Sequence, residues 1–229
     1  MQRKLILTGD GSHTISMPEL NVTYHSIHGA IQESKHVFIE AGLKSLTLAE
    51  AAKLNIFEVG FGTGLNALVT IIEAEKLQKQ IHYETVEPFP LGSSETRSLN
   101  YCKQLGREEL QPVFEQLHSC KWEKKINITA NFLFKKTRSN LLNLSVRQAG
   151  FETSETFKLI YFDAFAPNTQ PELWTNEIFE KMFAMLEPGG ILVTYCSKGD
   201  VRRAMQAAGF IVEKLPGPQG KREMIRALR

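Results

Sequence analysis

Cysteine is scarce in this chain. Cys102, Cys120 and Cys196 are an odd number of thiols, with no Cys-x-x-Cys pair and no histidine at zinc-ligand spacing. Neither a disulfide framework nor a structural metal is suggested, and the three read as buried or idle thiols. His25 and His28 resemble a ligand pair only superficially, so no metal is assigned. No stretch approaches the ~18 unbroken apolar residues of a membrane helix. The first twenty residues mix Arg3, Lys4, Asp10, His13 and Glu19 with short apolar pieces, so no secretion signal is expected and a soluble, cytoplasmic chain is. Charge of one sign is also lacking. A net charge of +2 is too small to argue for nucleic acid by itself. Internal repeats and low-complexity tracts are missing, which sets aside solenoids and disorder.

What is present is an alternation of strands and helices. At 229 residues, 42% hydrophobic and 23% charged, the chain is sized for one globular domain with a small appendage. Apolar runs at 54–59, 81–86, 126–134, 159–162 and 191–195 read as strands. Helical patterns at 65–76, 94–105, 176–186 and 200–208 lie between or after them, with Gly106, Pro188-Gly189-Gly190 and Gly209 as stops. Runs at 210–215 and 223–228 flank the turn Pro216-Gly217-Pro218-Gln219-Gly220 as a terminal hairpin. The pattern predicts an α/β, Rossmann-like fold with a mostly parallel seven-stranded sheet, helices on both faces and a C-terminal antiparallel hairpin. Residues 53–229 form that domain. Residues 1–52 do not fit the alternation and are expected to be a β-rich extension (Lys4 to Thr8, Thr14 to Met17) followed by a loop segment.

The chemistry concentrates at strand ends. Gly60, Gly62 and Gly64 follow a strand and open a helix, where bare backbone can turn and approach a ligand. A dinucleotide fingerprint is G-x-G-x-x-G, but the third glycine here comes one position early, giving the G-x-G-x-G form found in methyltransferases. Glu58, just ahead of the glycines, can face a cationic ligand, and Asn66 can bond a carboxylate or cap the helix. Glu87, ending the next strand, is placed to accept hydrogen bonds from ribose hydroxyls. Asp163, ending the fourth strand, can face the point where cofactor and acceptor meet. The expected cofactor set is Glu58, Gly60, Phe61, Gly62, Thr63, Gly64, Asn66, Glu87 and Asp163, with S-adenosyl-L-methionine as cofactor and Asp163 as the catalytic group.

Several segments carry a resemblance beyond fold. They are Glu58 to Asn66, Asp163-Ala-Phe-Ala-Pro167 with Pro171-Glu-Leu-Trp174, Pro188-Gly-Gly190 through Ser197, Val201-Arg202-Arg203 and Ala208-Gly-Phe210. Gln32-Glu-Ser-Lys-His-Val-Phe38 and Gly220-Lys-Arg-Glu-Met224 complete the set. Together they resemble the methyltransferase domain of the bifunctional tRNA-modifying MnmC enzymes, over nearly the whole chain. The resemblance implies methylation, from S-adenosylmethionine, of the 5-aminomethyl group on wobble uridine (position 34) of tRNA, giving 5-methylaminomethyl-(2-thio)uridine. It also implies a stand-alone, MnmD-type form without FAD. One departure is Phe134-Lys-Lys-Thr-Arg-Ser139, where the family often has Gly-Asp, so the cofactor-adenine contact is unassigned.

A tRNA anticodon stem-loop needs a phosphate-contacting surface. Lys198, Arg202, Arg203, Lys214, Lys221, Arg222, Arg226 and Arg229 outnumber Asp200, Glu213 and Glu223 in the last stretch and are the expected basic face. Tyr24, Phe165 and Trp174 are candidates for stacking on an extruded base. An NAD-dependent oxidoreductase is disfavoured by the glycine spacing, and intact Glu58, Glu87 and Asp163 disfavour a non-catalytic partner. An aminopropyltransferase, or a methyltransferase of a small amine, stays open.

Overall fold

The computed structural model describes residues 2–46, 53–144 and 156–229. At the N-terminal side β1 (Lys4–Leu7), β2 (His13–Met17) and β3 (Val22–Thr23) form a small antiparallel sheet. The segment expected to be a loop is helical instead: α1 (Ala30–Ser34) runs directly into a π-helical turn, Lys35–Glu40. Its polar run hid an apolar stripe, because Ala30, Ile31, Val37, Phe38 and Ile39 are all buried in the main core.

The central sheet explains the rest. β4 (Lys53–Val59), α2 (Leu65–Leu77) and β5 (Gln80–Val86) make the first crossover unit. Every residue of α2 from Leu65 to Ala74 is buried, as expected of a helix covered on all sides rather than lying on a surface. The expected helix over 94–105 breaks into α3 (Ser93–Arg97) and α4 (Tyr101–Gln104). Between them the Asn100 side chain donates to Gly11 O at 2.9 Å and accepts from His13 N at 2.8 Å, so a tertiary tie to the N-terminal sheet overrides helical continuity. A further helix, α5 (Gln111–Ser119), carries Pro112 in its first turn, where no donor is lost.

The sheet has eight strands, not seven, in the order β10-β11-β9-β8-β4-β5-β7-β6. The alternating run 126–134 is two strands, β6 (Ile126–Thr129) and β7 (Phe132–Thr137), paired antiparallel about Ala130-Asn131. Inward and outward positions continue in step across the turn, so period-two patterning alone does not show it. β8 (Phe157–Phe162) is the continuous apolar strand at the centre, with buried residues facing both ways. After it come α6 (Asn176–Met185), β9 (Leu186–Thr194), α7 (Gly199–Ala207) and the hairpin β10 (Ile211–Pro216) and β11 (Glu223–Leu228). Pro188-Gly189-Gly190, expected as a helix stop, lies within β9 as a bulge: Phe157 pairs with Leu186, but Leu159 already pairs with Ile191.

Parallel strands β4, β5, β7, β8 and β9 bring their carboxyl ends to one edge, where open α/β sheets bind ligands. Among the described residues no helix is long and apolar enough to cross a membrane. Phe38 is 2% exposed and packs on Tyr161 of β8, ring centroids 5.0 Å apart. Phe38→Ala is therefore expected to cost about 3–5 kcal/mol in denaturant unfolding. A cost under ~1 kcal/mol would show that the N-terminal helical segment is not part of the core.

Candidate active site

The turn from β4 into α2 is built by glycines with left-handed backbone: Gly60 at φ +91 and Gly64 at φ +75. They do different work. A Cβ on Gly60 would lie 2.7 Å from Asp163 O, so its absence lets the ends of β4 and β8 run side by side. A Cβ on Gly64 would lie 2.9 Å from His118 Nε2 and 3.0 Å from the Phe61 ring. Gly64 thus serves packing against α5, away from the ligand edge. The loop is braced there by His118 Nε2, which contacts Thr63 O at 3.1 Å.

At the start of α2 the Asn66 amide divides its donors between two acids. Nδ2 donates to Glu58 Oε1 at 3.1 Å and to Asp163 Oδ2 at 2.8 Å, while Oδ1 accepts from Ser34 Oγ at 2.5 Å. Glu58 is fully buried, with Thr85 and Tyr83 beside its carboxyl. Burial pushes the Glu58 carboxyl up to about 8, and the nearby Asp163 charge adds to the rise. Burial likewise raises Asp163 to about 7; Glu33 pushes the same way, and the Asn66 hydrogen bond and Lys221 partly offset them. Two close carboxyls in a poorly solvated site resist double ionisation.

Asp163 and Asn66 reach a cavity of about 1280 Å³ at the carboxyl edge of the sheet, larger than the ~300–1,000 Å³ usual for one small ligand. Gly60, Phe61, Gly62, Thr63 and Glu87 also reach it; Glu58 and Gly64 do not. Glu58 lies one layer below, behind Asn66. Phe61 and Thr63 contribute backbone, since the Phe61 side chain packs on His118 and Phe134 at 5.0 and 5.7 Å and Thr63 Oγ1 contacts His25 Nε2 at 3.4 Å. Glu87 is 7% exposed; Oε2 accepts from Gly62 N at 3.0 Å and Oε1 from Phe89 N at 2.7 Å. Each oxygen retains a lone pair for a ligand hydroxyl. His25 is held neutral, its ring pushed down to about 4 by burial.

Of the stacking candidates, Tyr24 and Phe165 line the cavity edge to face, centroids 5.1 Å apart. Trp174 belongs to the core, 6% exposed, its Nε1 donating to Phe165 O at 2.8 Å. In the region without an assigned adenine contact, Lys136 is buried and donates to Leu117 O at 3.0 Å and to His118 O, closing the end of α5. Phe89, Asn140 and Leu141 line the cavity nearby in the chain. Half of the eight basic residues in the C-terminal stretch are ion-paired. Arg203 pairs with Asp200, Lys214 with Glu223, Lys221 with Glu33 and Arg226 with Glu213. Lys198 bonds Asn168, and Arg229 caps the end of α6 through Phe183 O and Ala184 O. Ser34, Glu33 and Tyr195 at the site had no individual role in the sequence, and Lys221 counted only toward the basic face; the motifs at 32–38, 188–197 and 220–224 that contain them were the available signal.

Glu58 holds its proton more tightly folded than unfolded. The stability this brings is complete below about 4.5 and is lost as pH rises through about 8. Glu58→Gln, neutral throughout, is expected to remove that loss. Between pH 5 and pH 9 the wild type should fall behind the variant by roughly 2–5 kcal/mol in urea unfolding; parallel profiles would show Glu58 ionised in the fold.

Comparison with known proteins agrees with this geometry. A family model described as S-adenosyl-L-methionine-dependent methyltransferase matches residues 108–229. The tRNA 5-methylaminomethyl-2-thiouridine biosynthesis bifunctional protein MnmC of Cupriavidus metallidurans is 30% identical over 229 residues, spanning 96% of this chain and 33% of that protein. The protein of the same name from Burkholderia pseudomallei is 30% identical over 241 residues, spanning 96% and 34%. The chain therefore spans about a third of the length of these curated relatives. In structure it is similar to MNMC2 from Aquifex aeolicus, with a TM-score of 0.78 at 23% identity over 99% of this chain and 69% of that one, which establishes the fold. The family model spans more than half of the chain: the chain belongs to the S-adenosyl-L-methionine-dependent methyltransferases, and it is similar to about a third of the length of the MnmC proteins.

Proposed function

We propose that the chain methylates the nitrogen of the 5-aminomethyl group on wobble uridine (position 34) of tRNA, giving 5-methylaminomethyl-(2-thio)uridine. The observation that carries the reading is Asp163, an acid held to the cavity wall by Asn66 at 2.8 Å and poised at about 7. The similarity to proteins named for 5-methylaminomethyl-2-thiouridine biosynthesis supports the substrate class. The reading keeps residues 53–229 as the methyltransferase domain and 1–52 as an extension completing the acceptor end, in a cytoplasmic protein.

The residues present fit the cofactor. Gly60 and Gly62 offer backbone free of a Cβ, Glu87 offers lone pairs for ribose hydroxyls, and Asn66 and Asp163 face the cavity as polar anchors for the methionyl end. When bound, S-adenosylmethionine supplies an electrophilic methyl group on a sulfonium.

The chain's own part is positioning and proton control. A primary alkylammonium, with a pKa of about 10, has no lone pair to donate until it loses a proton. Asp163 at about 7 rather than 3.8 accepts that proton at a cost about 4 kcal/mol lower than a solvent-exposed aspartate does. Once that proton has passed on to water, the ionised carboxylate attracts the positive charge that develops on nitrogen during attack. Tyr24 and Phe165 offer ring surface for the uracil base. Arg202 and Arg222 are the two of the eight C-terminal cations without a hydrogen bond or ion pair among the described residues; they are the proposed contacts to an anticodon-stem backbone.

Asp163→Asn is expected to lower methyl transfer to aminomethyl-bearing tRNA by about 10²-fold or more, with S-adenosylmethionine still bound in calorimetry. Full turnover in that variant would remove Asp163 from the reaction. Arg202→Ala with Arg222→Ala should weaken tRNA binding and reduce its salt dependence, by a slope of about two; an unchanged slope in a salt titration would move the tRNA to another face.

A further inference from the structure

Asp163 is faced from several elements. Glu58 comes from β4, Asn66 from α2, Glu33 from α1 and Lys221 from the turn between β10 and β11; Tyr83 and Tyr195 complete the shell, both raised by burial, with the charge of Asp163 adding to the rise. Two members of this shell form an ion pair of their own. Lys221 Nζ donates to Glu33 Oε1, and Glu33 Oε2 accepts from Ser26 N at 2.7 Å. The same ammonium sits 3.8 Å above the Tyr195 ring, whose hydroxyl donates to Ala164 O at 2.8 Å, next to Asp163 in the chain. Glu33, Lys221, Tyr195 and Asp163 all line the one cavity.

The turn carrying Lys221 packs against the N-terminal segment. Gly220, at φ +84, lies so close on His28 that a Cβ would overlap the imidazole, at 2.1 Å from Cδ2. The N-terminal segment thus supplies Glu33 and touches the turn that brings Lys221.

We propose, on the reading of Asp163 as the acceptor-side acid, that Glu33 and Lys221 are a positioning pair that decides when Asp163 can take the proton of the acceptor amine. The two residues act on Asp163 with opposite signs. The Glu33 carboxylate makes a second negative charge on Asp163 unfavourable; the Lys221 ammonium makes it favourable. Burial brings Asp163 to where it exchanges a proton near neutrality, and the pair adjusts that point in opposite directions. The step is a plain transfer: a proton leaves the alkylammonium for the Asp163 carboxylate, and the nitrogen keeps the freed electron pair for attack on the methyl group.

The test follows the Asp163 carboxyl directly, by carbon-13 NMR titration of aspartate-labelled protein with Asp163→Asn as assignment control. The wild-type midpoint is expected near 7. Glu33→Gln should lower it by about one pH unit and Lys221→Gln should raise it by about one, as expected for a unit charge several ångströms away at an effective dielectric near 20. Lys221→Arg should restore the wild-type midpoint. The acidic limb of the pH profile for tRNA methylation should shift in the same two directions, giving up to about a tenfold difference in rate at pH 6. A purely structural pair would depress activity in both variants without moving the midpoints in opposite directions. Midpoints that stay fixed, or move together, overturn the proposal even if tRNA is methylated. Opposite shifts in a protein that leaves aminomethyl-tRNA untouched would uphold the pair and sink only the acceptor assignment.

Discussion

The site depends on one side chain shared three ways, the Asn66 amide. Its nitrogen serves Glu58 and Asp163, from two neighbouring strands, and its oxygen is taken by Ser34. Because Ser34 donates to the oxygen and both acids accept from the nitrogen, the amide has a single satisfied orientation. That orientation ties the first turn of α2 to β4, to β8 and to α1 at once. It also brings two carboxyls together where water is scarce, so both hold protons far above the usual carboxylate range.

Everything around this point keeps it in place. The buried helix α2 cannot shift along the sheet without opening the core that Leu65, Leu68 and Ile72 fill. Gly60 lets the backbone after β4 touch the backbone after β8, and His118 braces the loop from α5. The N-terminal segment and the C-terminal hairpin turn meet at the cavity through Glu33 and Lys221. A methyl-transfer site of this kind works through alignment and charge rather than covalent catalysis, and rigid strand ends with a packed helix supply both.

The glycine turn and the two acids at strand ends were legible because their signals are local. Gly60, Gly62 and Gly64 have a spacing that differs from the dinucleotide form, and Asp163 ends a continuous apolar strand. The division of labour inside the motif was not legible: Glu58 and Gly64 look equivalent to their neighbours in sequence yet do not line the cavity. The helical segment after Gly29 was missed because Glu33 and Ser34 read as exposed polar residues. They are buried against partners 188 and 32 positions away, a relation no window can show. The β6–β7 hairpin escaped because its turn preserves the alternation of both strands. The basic stretch looked more cationic than it is, since its lysines and arginines find acids such as Glu33 outside the stretch as well as Glu213 and Glu223 within it.

The account places a methyl group on one nitrogen of one nucleoside, and nucleoside mass spectrometry reads that outcome directly. Transfer RNA bearing 5-aminomethyl-2-thiouridine at position 34 would be incubated with the protein and S-adenosylmethionine, digested and analysed. The expected result is conversion of that nucleoside to its 5-methylaminomethyl form, with every other nucleoside unchanged. An unchanged wobble nucleoside in the presence of bound cofactor, or a methyl group found elsewhere in the tRNA or only on a small free amine, would contradict it.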